Sequence, residues 1–516
     1  MARERSWWGW GWADQALDAK RCAALADRVR PFLGLDGELA SIPELTNVSM
    51  PESRVRAPQS LDRLCTTAAR DRASHTYGKA YRDVVRALRG DLAAAPDLVA
   101  YPRHEADVTA VIDWAAEADL FVVPYGGGTS VVGGIECRDR SRGIVSLDLR
   151  ELTGVLEVDK VSLAARIGAG TLGPAIEDGL RPYGLTLRHF PQSFEFSTLG
   201  GWIATRAGGH YATGLTHIDD LVEAVRIVTP VGVAASLRVP ASGAGPSPDR
   251  LWLGSEGALG VITEAWVRVQ RRPTFVRRSA VRFAEYADAV EAVRELAQSG
   301  LQPANCRLLD AIESMLGARV TDGSCRLLLG FESANHPVDA AMDRALEICR
   351  TRRGVVVGSD STGEWRETLL GAPYLRDGLA RLGVVVETFE TACTWAGFAA
   401  LHAGIVEAVV ATGALVACRL THLYPDGPAP YFTVYAAGRR GAEVQIWDAV
   451  KAAASEAIVA NGGTITHHHA VGRDHRPWYD RERPEPFALA LRAAKAAVDP
   501  NGVLNPGVLI NKLRRS

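Results

Sequence analysis

No two of the eight cysteines, Cys22, Cys65, Cys137, Cys306, Cys325, Cys349, Cys393 and Cys418, lie close enough for a CxxC pair. That spacing removes the zinc knuckle and the redox dithiol from consideration and reads as scattered, reduced thiols. An excess of one charge is also missing: 58 basic residues meet 60 acidic ones, for a net charge of −2. Nothing electrostatic therefore singles out nucleic acid as a partner. No apolar run approaches the roughly 18–20 residues that span a bilayer. The longest candidate, Ala408–Cys418, is interrupted by Thr412 and Gly413. Met1–Trp12 holds charge and tryptophan where a signal peptide would hold an apolar core, so a cytoplasmic location is expected. Lysine is scarce, at six residues against a large arginine complement, which reads as GC-rich coding bias.

What is present is 516 residues with 47% hydrophobic and 23% charged side chains. That is enough chain for two to four structural units at roughly 100–200 residues each, with a core that needs no covalent staple. The first ninety residues read as helical and irregular. They include Ser6–Trp12, SWWGWGW, which is either an interfacial anchor or a packing strap. From 91 onward elements alternate: a helix over His104–Leu120, strands at Phe121–Pro124, Ile144–Leu149, Gly154–Val158 and Ala164–Ile167, a helix over Thr171–Tyr183 and a strand at Leu185–Arg188. A hairpin is expected around Pro230–Gly232, and a half-buried strand over Val261–Val269. After Arg271–Pro273 come strands Ser279–Phe283, Cys306–Leu309, Arg326–Phe331, Val355–Val357, Leu415–Leu420 and Tyr431–Ala436. Helices Tyr286–Ser299, Val338–Arg352, Glu443–Asn461 and Pro486–Val498 accompany them. The pattern is α+β, with an antiparallel sheet covered by helices.

Five stretches carry chemistry. The loop Tyr125–Gly134, YGGGTSVVGG, follows a strand. Its glycines let backbone N–H groups converge on an anion. It lacks the Lys-Ser/Thr of a P-loop and the GxGxxG spacing, so it reads as a diphosphate cradle or a glycine-rich turn. Gln192–Gly201 and Gly254–Ile262 combine small and hydroxyl side chains, as a backbone pressed on a flat ligand requires. His467, His468 and His469 are adjacent. On a strand only the outer two would share a face, which disfavours a metal and favours acid–base work. Tyr431 offers a phenol that donates a proton, or accepts one if a cationic neighbour lowers its pKa.

Taken in order, WGWGW, SHTYGKAYRDVVRA, PYGGGTSVVGG, QSFEFSTLGGW, GSEGALGVITEA, CRLLD, CRLTHLYPDGPAPYF and GGTITHHHAVG resemble the FAD-linked oxidases of the vanillyl-alcohol-oxidase type. Within these the chain is most similar to the alkylglycerone-phosphate synthase family. The resemblance implies a two-lobed fold. Residues 1–90 would form an N-terminal helical region, 91–270 a PCMH-type FAD-binding domain and 271–475 a cap over the flavin, with 476–516 returning to the FAD lobe. It places FAD against Pro124, Tyr125, Gly126, Gly127, Gly128, Thr129, Ser130 and Val131. The second flavin stretch falls on Gln192, Ser193, Phe194, Glu195, Phe196, Ser197 and Thr198, and the third on Thr205, Arg206, Ala207 and Gly208. The fourth falls on Glu256, Gly257, Ala258, Leu259, Gly260, Val261 and Ile262. Neither histidine nor cysteine occurs in Tyr125–Gly134, so non-covalent FAD is expected.

The implied reaction exchanges the acyl group of acyl-dihydroxyacetone phosphate for a fatty alcohol through a flavin N5 adduct. Tyr431, the three histidines, Arg307 and Arg419 fall on the family's catalytic positions. The rival on the same scaffold is oxidation of a 2-hydroxy acid such as D-lactate or glycolate. A homodimer and peripheral membrane contact are further implications. The chain departs from the family pattern at Ala470-Val471-Gly472 after the triplet and at Gly208-Gly209-His210-Tyr211.

Overall fold

The computed structural model describes residues 3–35, 38–211, 213–318, 320–358 and 362–510, with side chains from 370 onward in the last stretch. The end of the expected C-terminal segment, 511–516, lies outside them.

Two larger sheets and a two-stranded ribbon, Leu185–Thr186 with Gln270–Arg271, build the first lobe. The smaller of the two sheets has four strands, with Leu98–Ala100 and Leu120–Tyr125 both parallel to Gly143–Asp148 between them. The helix Glu105–Glu117 covers it through Val108, Val111, Ile112 and Ala115, the i, i+3, i+4, i+7 stripe that the sequence displays. The larger is a five-stranded antiparallel sheet centred on Val261–Arg268, where buried residues alternate along the strand. The chain returns here at its far end. Val122 donates to the Val503 carbonyl and accepts from Asn505, so 503–505 line up along Leu120–Tyr125.

The second lobe is one seven-stranded, wholly antiparallel sheet. Its order is Val355–Gly358, Phe275–Phe283, Cys325–Ser333, Asn305–Leu309, Leu415–Leu423, Pro428–Ala437, Val384–Glu390. Helices Tyr286–Gln298, Asp339–Thr351, Trp395–Val410 and Glu443–Ala460 fill the core against one face with Val293, Leu296, Leu401, Ile405 and Trp447. Among the described residues no helix is long and apolar enough to cross a membrane. The run Ala408–Cys418 is instead the end of one helix, a turn at Gly413 (φ +81) and the start of a strand.

Other expectations shift. The strand expected over Leu185–Arg188 stops at Thr186, because Arg188 takes φ +61 to reach Glu332 in the second lobe. The tryptophan-rich strap folds inward: Trp7, Trp8 and Trp10 are buried, and the Trp10 amide donates to Asp377. Gly11 at φ +57 packs so tightly on Tyr374 that a Cβ would sit 2.0 Å from its hydroxyl. Arg5 of the same strap donates to the Gly127 carbonyl at 3.0 Å. The strap thus braces the glycine loop through Arg5 and packs Trp7, Trp8 and Trp10 inward, whereas an interfacial anchor requires the indoles at the surface.

Candidate active site

A cavity of about 880 Å³ runs between the lobes. That is within the size range of small-molecule and cofactor sites. One wall is the glycine loop, which leaves the carboxyl end of strand Leu120–Tyr125. A Cβ on Gly127 would lie 1.7 Å from the Phe196 carbonyl oxygen, and one on Gly126 would lie 2.4 Å from the Thr198 hydroxyl. Glycine here allows backbone to press on backbone. It leaves a wall of peptide groups suited to the diphosphate of a dinucleotide.

All eight residues Pro124 to Val131 face this cavity. So do Gln192, Ser193, Ser197, Thr198, Thr205, Ala207, Gly208, Glu256, Gly257, Gly260, Val261 and Ile262. Six expected neighbours of the cofactor do not. Phe194 stacks on Trp202, Glu195 is exposed, and Phe196 is buried edge-on against Trp10 and Trp12. Arg206, at φ +52, turns outward to Asp219. Leu259 is core, and Ala258 presents its carbonyl to Lys495. In each stretch the backbone turns so that these side chains point away from the cavity while their neighbours line it.

The opposite wall is the open face of the seven-stranded sheet. Arg419 pairs with Tyr431 across one ladder, and Tyr431 with Glu390 across the next, so all three project from the same face in one row. Arg307 joins them from Asn305–Leu309, whose Leu309 pairs with Arg419. A register shift between Leu420 and His422 inserts one extra residue and pairs His422 with Ala429, two residues from Tyr431. That bulge turns the His422 ring onto the same face, where it bonds to the Gly209 carbonyl at 2.6 Å.

The histidine triplet is not on a strand. It lies in a bend, gathered around Glu390, whose carboxylate accepts the backbone N–H groups of His467, His468 (3.1 Å) and His469 (2.8 Å) and the Thr466 hydroxyl (2.7 Å). Burial opposes ionisation, yet the imidazoles of His469 and His467 and these hydrogen bonds hold Glu390 near a pKa of about 2. Strand alternation therefore does not apply. His468 and His469 both reach the cavity, 6.1 and 5.4 Å from the Tyr431 ring between centroids. His467 stands behind them: it shares a 2.9 Å hydrogen bond with His468 between Nδ1 atoms and a 2.8 Å bond from Nε2 to the Tyr424 hydroxyl. Burial, with help from neighbouring imidazoles, pushes His467 and His468 well below the usual histidine range.

Burial also raises the Tyr431 phenol above its ordinary value, although Arg419, with its guanidinium carbon 3.8 Å from the ring centroid, pulls the other way. Arg419 is held by Glu313 at 2.9 Å. Burial and the neighbouring Arg419 lower Arg307 to about 9, and an anion arriving there would favour its charged form. Sequence reasoning did not assign roles to Glu390, Glu313, His422 or Tyr424. Of these, His422 and Tyr424 stand inside the quoted CRLTHLYPDG motif; the two carboxylates had no local signal.

Away from the polar centre the cavity becomes apolar, lined by Leu25, Val29, Met315, Leu379, Val386 and Leu415. It opens beside Phe32, Leu316 and Leu375, which are 64%, 40% and 40% exposed.

Comparison with known proteins agrees over nearly the whole length. Residues 96–237 match the family described as FAD binding domain, and 272–509 the one described as FAD linked oxidases, C-terminal domain. The chain is similar to the alkyldihydroxyacetonephosphate synthase of Dictyostelium discoideum, with 30% identity over 86% of this chain and 78% of that protein. Its counterpart in Caenorhabditis elegans is 27% identical over 98% and 95%. A solved structure of an alkyldihydroxyacetonephosphate synthase superposes with a TM-score of 0.83, at 26% identity, over 97% of this chain and 98% of that one.

Proposed function

The chain belongs to the alkyldihydroxyacetonephosphate synthase family of FAD-linked enzymes, and from that premise we propose that it exchanges the acyl group of an acyl-dihydroxyacetone phosphate for a fatty alcohol. One observation carries this reading: a row of Arg419, Tyr431 and Glu390 with the histidines opens directly into an apolar arm within the same cavity. A small hydroxy acid has no use for that arm; an acyl or alkyl chain has.

FAD is the cofactor, and the glycine loop with Gln192–Thr198 and Gly257–Ile262 would hold it. When bound, it supplies an electron-accepting ring that lets an ester oxygen leave a carbon where ordinary displacement is slow. The chain's own residues supply the rest. Arg307, beside Arg419, takes the phosphate or the leaving carboxylate in a forked grip. Tyr431 remains a phenol at neutral pH and acts as a hydrogen-bond donor, orienting the carboxylate oxygen that departs. His468 and His469, kept neutral by burial, accept the proton released at C1. The apolar arm holds the chains and excludes water, which would otherwise compete with the alcohol.

The same reading extends to the surface and the assembly. The exposed rim of Phe32, Leu316 and Leu375 would touch a lipid surface, where chains enter. A homodimer follows from family analogy, and sedimentation tests it. FAD is held without a covalent bond, so acid precipitation is expected to leave the flavin in the supernatant; a yellow pellet would contradict this.

The test is to supply palmitoyl-dihydroxyacetone phosphate and a labelled long-chain alcohol to the purified holoenzyme. Ether and free fatty acid should form in equal amounts. Anaerobic D-lactate or glycolate should leave the flavin oxidised. Bleaching by a hydroxy acid without ether formation would replace this reading with an oxidase.

A further inference from the structure

The proposed exchange has a proton balance that the cavity alone does not solve. The C–O bond to the carboxylate breaks and one to the alcohol oxygen forms. The proton taken from C1 is returned, and the alcohol's own proton is left over. One proton must therefore leave per turnover, from a site walled by flavin-facing backbone on one side and by hydrocarbon on the other.

A second cavity, of about 570 Å³, lies on the far side of the histidine bend. Its lining includes Thr394, Tyr424, Asp426, Thr464 and Glu482. Asp426 and Glu482 are exposed there. The wall between the two cavities is one hydrogen-bonded file. His468 faces the inner cavity, its Nδ1 meets His467 Nδ1 at 2.9 Å, His467 Nε2 meets the Tyr424 hydroxyl at 2.8 Å, and Tyr424 lines the outer cavity.

We propose that His468, His467 and Tyr424 form a proton relay that carries the surplus proton from the catalytic cavity to the outer one. This rests on the exchange reaction proposed above. The chemistry of the three groups suits the task. A neutral imidazole donates through one nitrogen and accepts through the other. A proton passed into Nδ1 of His467 from His468 is matched by one passed out of Nε2 to Tyr424, and a change of tautomer resets the ring. The tyrosine hydroxyl accepts from His467 and hands its own proton outward to water beside Asp426 and Glu482. Burial holds the Tyr424 phenol up at about 12, so it stays a hydroxyl and passes protons without being left as a phenolate. Its other partner, the buried Thr216 hydroxyl at 2.9 Å, fixes its orientation. Glu390 fixes the two rings by their backbones. Tyr424 is absent from the catalytic cavity's lining, so a part in turnover for it would have to be played through His467.

The experiment substitutes Tyr424→Phe in the holoenzyme, which keeps the ring and removes the hydroxyl. Turnover should fall by about tenfold or more, with KM for both substrates unchanged. A small diffusible base such as imidazole, admitted through the outer cavity, should restore it. Unchanged turnover in Tyr424→Phe, or a loss that imidazole does not repair, overturns the proposal. A second readout needs no substrate. In holoenzyme labelled with 15N-histidine, exchange of the His467 and His468 ring protons with water should slow in Tyr424→Phe, and equal exchange rates overturn the relay. If the wild-type protein forms no ether, the exchange reading fails by itself, and the ring-proton measurement still decides the relay.

Discussion

Arg419 lies over Tyr431, its guanidinium carbon 3.8 Å from the ring centroid, on the neighbouring strand and in register with it. A cation so placed ought to ease deprotonation of a phenol, yet burial outweighs it and the group remains protonated. Tyr431→Phe is therefore expected to lower kcat by about 10²–10⁴ while flavin binding persists. The activity of the wild-type enzyme should not climb with pH in the manner of a site waiting for a phenolate. Steady-state kinetics with a flavin titration separates the two effects.

Gly127→Ala should abolish flavin binding. The added Cβ would meet the Phe196 carbonyl at 1.7 Å. The Cβ is fixed to its Cα and the carbonyl is backbone, so neither can rotate aside and the loop must move. The visible absorbance of the purified variant reads this directly, and a normal yellow protein would count against the loop as the cradle.

Glu390→Gln replaces an acceptor of several N–H groups with one that has a single carbonyl oxygen. A loss of about 1–3 kcal/mol is expected in denaturant unfolding. The sign with pH follows from the depressed carboxylate. Its ordinary value of 4.5 falls to about 2 in the folded protein. The stabilisation is fully present above 4.5 and disappears as pH falls toward 2. The variant should lack that acid-side decline.

Glu256 behaves in the opposite sense. It accepts the amides of Val471 (2.9 Å) and Gly472 (2.8 Å), but burial raises it from 4.5 to about 7. The folded state holds a proton that the unfolded chain releases, so wild-type stability falls as pH rises from 4.5 to 7. The difference in unfolding free energy between Glu256→Gln and wild type should shift in the variant's favour across that range, by up to about 3 kcal/mol. A difference that does not move with pH would mean Glu256 titrates normally.

The strand Phe275–Phe283 was legible over its second half, where buried and half-buried residues alternate, and Leu415–Leu423, buried almost throughout, over its apolar start. The strand Val384–Glu390 went unread although its β-branched run was visible, and with it went the acid at its end. The helix Trp395–Val410 carries Phe398, Leu401, Ile405 and Val409 on one stripe; alanines around that stripe blur its edges. The histidine bend was out of reach for a different reason. What bends it is a carboxylate 77–79 positions away, collecting amides that a strand would have paired elsewhere. Likewise, the inward turn of the tryptophans depends on Asp377 and Tyr374, partners more than 360 positions distant. Motifs located the glycine loop and the arginines; only assembly revealed which neighbours of each motif residue turn their backs on the cavity.

The segment 467–472 is gripped at both ends by carboxylates from opposite lobes, Glu390 at its start and Glu256 at its finish. It is a taut cord between two pegs. A displacement of one lobe along the other would load the histidine bend through these amides, because the same short segment that carries the imidazoles also ties the lobes together.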